Sequence, residues 1–123
     1  MAKISGIGGI FYKVADPAAT RAWYAAHFGL SADEYGHMFA ADDDAKAMTI
    51  WNPFKADTDY FAPSGSSFMI NFRVDDLDAL LAELAAKGVP CVGEPLDESY
   101  GKFGWVMDPD GIKIELWEPK NAA

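Results

Sequence analysis

The stretch DPDGIKIELWEP, residues 108–119, joins a turn signal to an alternating strand and decides how the rest of the chain is interpreted. Its first four residues are typical turn formers. In the strand that follows, alternate side chains point to opposite faces, so one face carries Lys113, Glu115 and Trp117. A carboxylate in the middle of such a strand needs a partner, which could be a cation, a metal ion or a bound ligand.

The composition favours a folded protein with an acidic surface. Half of the 123 residues are hydrophobic, which suffices for a core. The chain has 19 acidic and 10 basic residues and a formal charge of −9, which argues against nucleic acid and anionic membranes as partners. The start of the chain lacks the features of a signal peptide, and no apolar run reaches the roughly 20 residues of a membrane helix. We therefore expect a cytoplasmic protein.

The pattern of apolar residues and turn signals predicts a strand, a helix and two or three strands, and then the same order again. Each helix is preceded by an aspartate suited to capping it, Asp16 or Asp76. Ala22, Trp23 and Ala26 are expected to face the core from the first helix. The predicted helices are 18–28 and 77–87, and the predicted strands are 4–14, 34–40, 46–51, 68–74, 89–92, 103–107 and 112–117. We predict one domain of two modules, 1–53 and 67–119, joined by a linker, 54–66.

The two halves also match each other as sequences. A shift of 66 superimposes residues 40–53 on 106–119 without a gap and aligns identical residues at four positions, among them the two Asp residues of a hairpin turn, Asp42 and Asp44. A shift of 60 aligns the helix starts. Together these matches indicate an internal duplication. The shift of 66 predicts that Thr49 and Trp51 share the face of Glu115 and Trp117.

Three motifs resemble one known superfamily. They are Val14-Ala15-Asp16-Pro17, the helix end His27-Phe28-Gly29-Leu30, and the run from Asp108 to Trp117. This combination is similar to the vicinal oxygen chelate superfamily, which includes glyoxalase I, extradiol dioxygenases, fosfomycin-resistance enzymes and bleomycin-resistance proteins. The resemblance implies an α+β fold in which tandem βαβββ modules form curled mixed sheets around a concave cavity, with the helices outside. It also implies a homodimer.

The same resemblance implies a divalent metal in the cavity, and this sequence departs from that pattern. The family's ligand positions fall on Gly9, Thr49, Met69 and Glu115. Glycine has no donor, a thioether is soft and a threonine hydroxyl is weak, so a single carboxylate remains. We therefore predict no metal and no other cofactor. His37, in a predicted strand near the cavity, is interpreted as a polar wall residue.

The predicted site centres on Glu115. Within an aromatic cavity it could abstract a proton from a substrate, or it could pair with a nearby cation such as Lys113. Tyr100 and Phe103 lie in a stretch without a counterpart in the first half, which forms either a flap or a bend before a strand. The predicted ligand-binding residues are Phe11, His37, Thr49, Trp51, Met69, Asn71, Tyr100, Phe103 and Trp117.

Three functions remain open on the sequence alone. The first is a glyoxalase/bleomycin-resistance-like protein that binds a small organic molecule without the usual metal. The second is a lyase or isomerase of the glyoxalase type, dependent on a metal or on Glu115 as a base. The third is a structural or interaction protein whose cavity is filled by its own side chains.

Overall fold

Seven strands and two helices follow the predicted order in the computed structural model, which describes residues 2–41 and 44–120 and all of their side chains except those of 41 and 44–47. Asp42 and Asp43, in the predicted hairpin turn, lie outside the described residues. The helices are α1, Pro17–Phe28, and α2, Leu77–Ala86. The strands are β1 Ile4–Val14, β2 His37–Ala41, β3 Asp44–Lys55, β4 Phe68–Val74, β5 Leu96–Glu98, β6 Gly101–Met107 and β7 Lys113–Pro119.

Two strand predictions need correction. Residues 89–92 do not form a strand, and the short strand β5 lies further on, at Leu96–Glu98. Strand β3 continues to Lys55, past its predicted end at Trp51. Its extra length comes from parallel pairing with β1, where Tyr12 pairs with Pro53 and Val14 with Lys55. Such pairing between distant segments leaves no local signal in the sequence.

Local capping chemistry defines where both helices begin. The side chain of Asp16 accepts a hydrogen bond from the Ala19 amide at 3.2 Å, and Asp76 does the same for Ala79 at 3.1 Å. Each cap satisfies an amide that has no partner within the helix. Helix α1 ends at Gly29, whose φ of 66° is the left-handed conformation that glycine adopts without strain.

All seven strands form one mixed sheet in the order β2-β3-β1-β4-β7-β6-β5. At its centre β1 and β4 are antiparallel, and Ile10 pairs with Ile70, a separation of 60. On either side of this pair, Gly9 pairs with Asn71 and Phe11 with Met69. With a shift of 60, Gly9 corresponds to Met69 and Phe11 corresponds to Asn71, so the two pairs are equivalent. The sheet register therefore confirms the shift of 60 between the first strands of the two modules.

The register of β3 and β7 corrects the other shift. Phe11 pairs with Asn52 on β3, and its counterpart Asn71 pairs with Glu115 on β7. Asn52 is therefore the structural counterpart of Glu115, a separation of 63 rather than 66. The two shifts differ by three residues, and because three is odd, the shift of 66 assigns each β3 side chain to the opposite face of the sheet. The predicted orientation of Thr49 and Trp51 was wrong for this reason.

The helices cover the outer face of the sheet unequally. Leu77 of α2 is 1% exposed and packs in a cluster with Val106 and Leu116. Helix α1 has no buried residue, and Ala22, Trp23 and Ala26, which were expected to face the core, are exposed. Its contact with the sheet runs through Tyr24, whose ring lies 4.6 Å from that of Trp51 on β3. Within the described residues, no helix is long and apolar enough to cross a membrane.

The segment between β3 and β4, residues 56–67, is mostly exposed but contributes Phe61 to the core, and it is called the connector below. The side chain of Phe61 is completely buried and clusters with Phe11, Met69 and Trp105. The hydroxyl of Ser64 donates to the Gly111 carbonyl oxygen at 2.7 Å, which ties the connector to the turn before β7. The connector therefore contributes to stability as well as to chain continuity.

Replacing Phe61 with alanine should lower the free energy of unfolding by about 3–5 kcal/mol, because it opens a cavity in the core. Phe28→Ala makes the same chemical change at a position that is 69% exposed, and it should stay within about 0.5 kcal/mol of the parent. Urea unfolding followed by circular dichroism measures both. Equal losses in the two variants would contradict the core position of Phe61.

Candidate binding site

A cavity of about 650 Å³ lies on the inner face of the sheet, the face that carries Phe11, Asn52, Glu115 and Trp117. Residues of β2 and β6 line it together, although these strands lie near opposite ends of the sheet order. The sheet must therefore curl around the space. Seven of the lining side chains are aromatic: Phe11, Tyr35, Phe54, Tyr60, Tyr100, Phe103 and Trp117. The other lining residues are Glu34, Met38, Ile50, Asn52 and Glu115.

Glu115 lies at the closed end of this cavity and is only 3% exposed. Oε1 accepts a hydrogen bond from Asn71 Nδ2 at 2.6 Å. Oε2 accepts from the Trp105 indole nitrogen at 2.9 Å and from the Tyr60 hydroxyl. These three uncharged donors replace the hydrogen bonds that water makes with an exposed carboxylate, which reduces the free-energy cost of burying the charge.

Lys113 supports this arrangement from behind Tyr60. It is 8% exposed, and its Nζ donates to the Tyr60 carbonyl oxygen at 2.6 Å. The ammonium also lies 5.2 Å from the centre of the Tyr60 ring and 5.7 Å from that of Trp105, within reach of cation–π attraction. Burial lowers the pKa of Lys113, and the negative charge of Glu115 partly opposes that shift. The sequence left open an ion pair between Lys113 and Glu115, but the lysine does not form one.

Burial and the neighbouring Glu115 charge raise the pKa of Tyr60 well above its ordinary value. Ionising the phenol would place a second negative charge beside the carboxylate and remove the proton that joins the two groups. Tyr60 is therefore held as a neutral hydrogen-bond donor.

Asn71, which is completely buried, needs a glycine opposite it. A Cβ added at Gly8 would lie 2.0 Å from Asn71 Oδ1, so no other residue fits there without displacing the amide. Gly8 lies at a β-bulge, where the register of β1 and β4 shifts between Ile7 and Gly9. This irregularity makes room for the donor to Glu115.

Most of the predicted site residues meet around this cavity. Phe11, Tyr100, Phe103, Glu115 and Trp117 line it. Met69 is fully buried behind Phe11, and Asn71 reaches the cavity only through its bond to Glu115. The stretch after Tyr100 is strand β6, paired with β7, and not a flap.

Three predicted residues lie elsewhere. The Thr49 hydroxyl donates to the Ile7 carbonyl oxygen at 3.0 Å, and Trp51 packs against Tyr24 on the outer face. On β2 the cavity-lining side chain is Met38, which leaves the adjacent His37 on the opposite face. The His37 ring lies 2.6 Å from the Ser31 carbonyl oxygen, so its hydrogen bond is to a loop outside the cavity.

Sequence reasoning missed eight residues of the site: Glu34, Tyr35, Met38, Ile50, Asn52, Phe54, Tyr60 and Trp105. Tyr60 lay in the predicted linker, and no local pattern there marks a contact with β7. Trp105 faces Glu115 because the two residues pair directly across β6 and β7. That contact could have been found by applying strand parity to β6. The shift of 66 assigned Asn52 to the wrong face, and Phe54 lay in the predicted linker.

Comparison with known proteins identifies the family to which the chain belongs. The family model of the Glyoxalase/Bleomycin resistance protein/Dioxygenase superfamily matches residues 6–116. The chain belongs to this superfamily, which confirms the resemblance to the vicinal oxygen chelate proteins. No curated protein sequence matches the chain.

Solved structures share the fold at low sequence identity. Methylmalonyl-CoA epimerase from Mycobacterium tuberculosis is 23% identical, with a TM-score of 0.66 over 96% of this chain and 90% of the other. A single-residue variant of the epimerase from Streptomyces coelicolor, in complex with 2-nitronate-propionyl-CoA, is 20% identical, with a TM-score of 0.72 over 97% and 100%. A hypothetical protein from Bacillus halodurans C-125 is 15% identical, with a TM-score of 0.64 over 99% and 97%. These likenesses show the fold alone.

The residues at the family's metal positions do not fit a divalent ion. With the corrected register these positions are Gly9, Asn52, Met69 and Glu115, and Asn52 adds only a neutral oxygen. A Cβ at Gly9 would lie 2.9 Å from the Ile50 carbonyl oxygen, so the backbone there leaves little room for a ligand side chain. Both oxygens of Glu115 already accept hydrogen bonds. Within the residues the structure describes, no three His, Cys, Asp or Glu side chains converge on a common point.

Glu115→Gln should lower the free energy of unfolding by about 1–3 kcal/mol, because a glutamine amide group cannot accept from all three donors. Glu94→Gln makes the same change in an exposed loop and should have little effect. Urea unfolding of both variants at neutral pH measures the difference. A Glu115→Gln variant as stable as Glu94→Gln would disprove the anchoring role.

The raised pKa of Tyr60 predicts a loss of stability in alkali. Above the ordinary tyrosine pKa of about 10, the unfolded chain releases the phenolic proton while the folded chain keeps it, so rising pH favours unfolding. The slope is at most about 1.4 kcal/mol per pH unit, reduced by solvent screening because Tyr60 is 37% exposed. Tyr60→Phe should lose less stability than the parent between about pH 9 and 11. Parallel curves for the two proteins in urea unfolding would contradict this account.

Proposed function

We propose that the protein binds a small, flat organic molecule in its central cavity without a divalent metal and without catalysing a reaction. The observation that carries the proposal is the combination of an open, mostly aromatic cavity with a carboxylate whose oxygens are already hydrogen-bonded. Cavities of this size with a few polar groups are typical of small-molecule sites. An interaction protein with a filled cavity is less well supported, because about 650 Å³ remains between the walls.

The arrangement of the rings favours a planar ligand. Phe103 and Trp117, paired across β6 and β7, have rings within 4° of parallel and 6.2 Å between centroids. Near the closed end, the rings of Phe54 and Tyr60 lie within 18° of parallel at 5.6 Å. Flat, rigid aromatic surfaces stack well on other π-systems and lose little conformational entropy on binding.

An enzymatic role for Glu115 is less well supported by the geometry. A general base needs a carboxylate oxygen that can approach the substrate proton. Here Tyr60, Asn71 and Trp105 use both oxygens, so proton abstraction would have to break one of these hydrogen bonds. We therefore assign Glu115 a structural role in forming the end wall of the cavity.

Three features of the proposed protein rest on sequence interpretation and stay predictions. They are the pairing into a homodimer, the cytoplasmic location and the division into modules at 1–53 and 67–119. Analytical ultracentrifugation would test the first directly.

Phe103→Ala should weaken binding of a flat aromatic compound by about 2- to 12-fold, as expected for the loss of one stacking surface. Phe39→Ala is the matched control, because Phe39 lies on the same face of β2 as His37 and away from the cavity. Quenching of tryptophan fluorescence during titration with a panel of aromatic compounds gives both dissociation constants. Binding that is lost equally in both variants would place the ligand elsewhere.

Removal of metal should leave this binding unchanged. Protein dialysed against a chelator and protein supplied with zinc, nickel or manganese should give the same dissociation constant for the same compound. Elemental analysis of protein purified without chelator provides the control. A stoichiometric metal, or affinity that appears only after metal addition, would overturn the metal-free proposal.

A further inference from the structure

The charged side chains that the structure describes in the cavity lining are all acidic. Glu34 lies among its exposed residues, and Glu115 forms its closed end. Among the residues that the structure describes, none that lines the cavity is a lysine, an arginine or a histidine. The whole chain adds a formal charge of −9. The cavity therefore offers negative charge and aromatic faces to a ligand, but no positive side chain within its walls.

The lysines and arginines near the cavity have other partners or lie outside it. Lys13 lies over the Phe61 ring at 5.5 Å, and Arg73, whose backbone pairs with that of Trp117, donates to the Ile7 carbonyl oxygen at 3.3 Å. Lys113 partly offsets Glu115, but its ammonium is buried, donates to the Tyr60 carbonyl oxygen and lies over the Tyr60 and Trp105 rings. Arg21 and Lys55 line an adjoining surface hollow that shares Glu34, Asn52 and Phe54 with the cavity. They could meet a group of a ligand outside the cavity, but they do not line its interior.

An anionic group inside such a cavity would lose water without gaining a cationic partner, which is costly. A cationic group meets the opposite situation. The faces of aromatic rings attract it, and the attraction grows as the group is removed from water. Two of the lining rings reach solvent, since Tyr35 is 75% exposed and Tyr100 is 62% exposed. Glu34, which also lines the cavity, is exposed as well.

We propose that the cavity selects an organic cation, an aromatic or alkylated ammonium compound, over neutral and anionic molecules of the same shape. This inference rests on the proposed binding function and adds the charge class of the ligand. It also separates this cavity from one that takes the anionic part of an acyl-CoA, the kind of compound present in the complex of the Streptomyces coelicolor epimerase.

Three bicyclic probes of similar shape and different charge test the proposal. They are 1-methylquinolinium, which is a cation, 1-methylnaphthalene, which is neutral, and 1-naphthalenesulfonate, which is an anion. Calorimetric titration of the full chain at low ionic strength should give about 10-fold or tighter binding for the cation than for the neutral probe, and weakest binding for the anion. Added salt should reduce the difference between cation and anion.

Two variants locate the source of the selectivity. Glu34→Gln should weaken the cation by about 3-fold and leave the neutral probe unchanged, as expected for one exposed charge. Glu94→Gln removes the same charge from a loop outside the cavity and should change neither. Both positions are exposed, so both variants are expected to fold.

The outcomes separate the two proposals. Equal affinity for the cation and the neutral probe, or tighter binding of the anion, would overturn the charge selectivity while leaving the binding function intact. Equal effects of Glu34→Gln and Glu94→Gln would assign the preference to net charge and also overturn it. Failure of all three probes to bind would overturn the proposed function together with the selectivity.

Discussion

The buried carboxylate of Glu115 is the constraint around which the inner face is organised. A charge that is 3% exposed requires donors from the protein, and here they come from three separate segments. Tyr60 approaches from the connector, Asn71 from β4 and Trp105 from β6. Satisfying one charge therefore fixes the position of the connector over the sheet and determines which side chains reach the cavity. The absence of a side chain at Gly8 follows from the same requirement, because it leaves space for Asn71.

Features encoded by neighbouring residues could be predicted from the sequence. The helix starts at Asp16 and Asp76 depend on contacts within a few residues, and both are confirmed. The position of Glu115 at the cavity also follows from strand parity. These predictions succeed because the determining interactions lie within single elements or adjacent strands.

Features set by pairing between distant segments could not be predicted in the same way. The matching turns and the shared Trp of the two halves suggested a shift of 66, but these are local similarities. The faces of β3 depend instead on its hydrogen bonds to β1, where Phe11 meets Asn52. An error of three residues moved Thr49 and Trp51 to the wrong face and hid Asn52 and Phe54. Tyr60 shows the same limit, since turn-forming residues around it predict a linker and carry no information about a partner 55 positions away.

The connector also breaks the twofold symmetry of the sheet. Asn52 and Glu115 are equivalent in the duplicated strands, but a segment that joins the two halves occurs once and can cover only one of them. It closes the cavity beside Glu115, while Glu34 and Tyr35, both exposed, border the space near Asn52. A duplicated and nearly symmetric sheet thus encloses a cavity with two unlike sides, one that carries the connector and one that does not. A ligand bound there would meet Tyr60 on the side of Glu115 and the exposed Glu34 and Tyr35 on the side of Asn52, so its two ends would not be interchangeable.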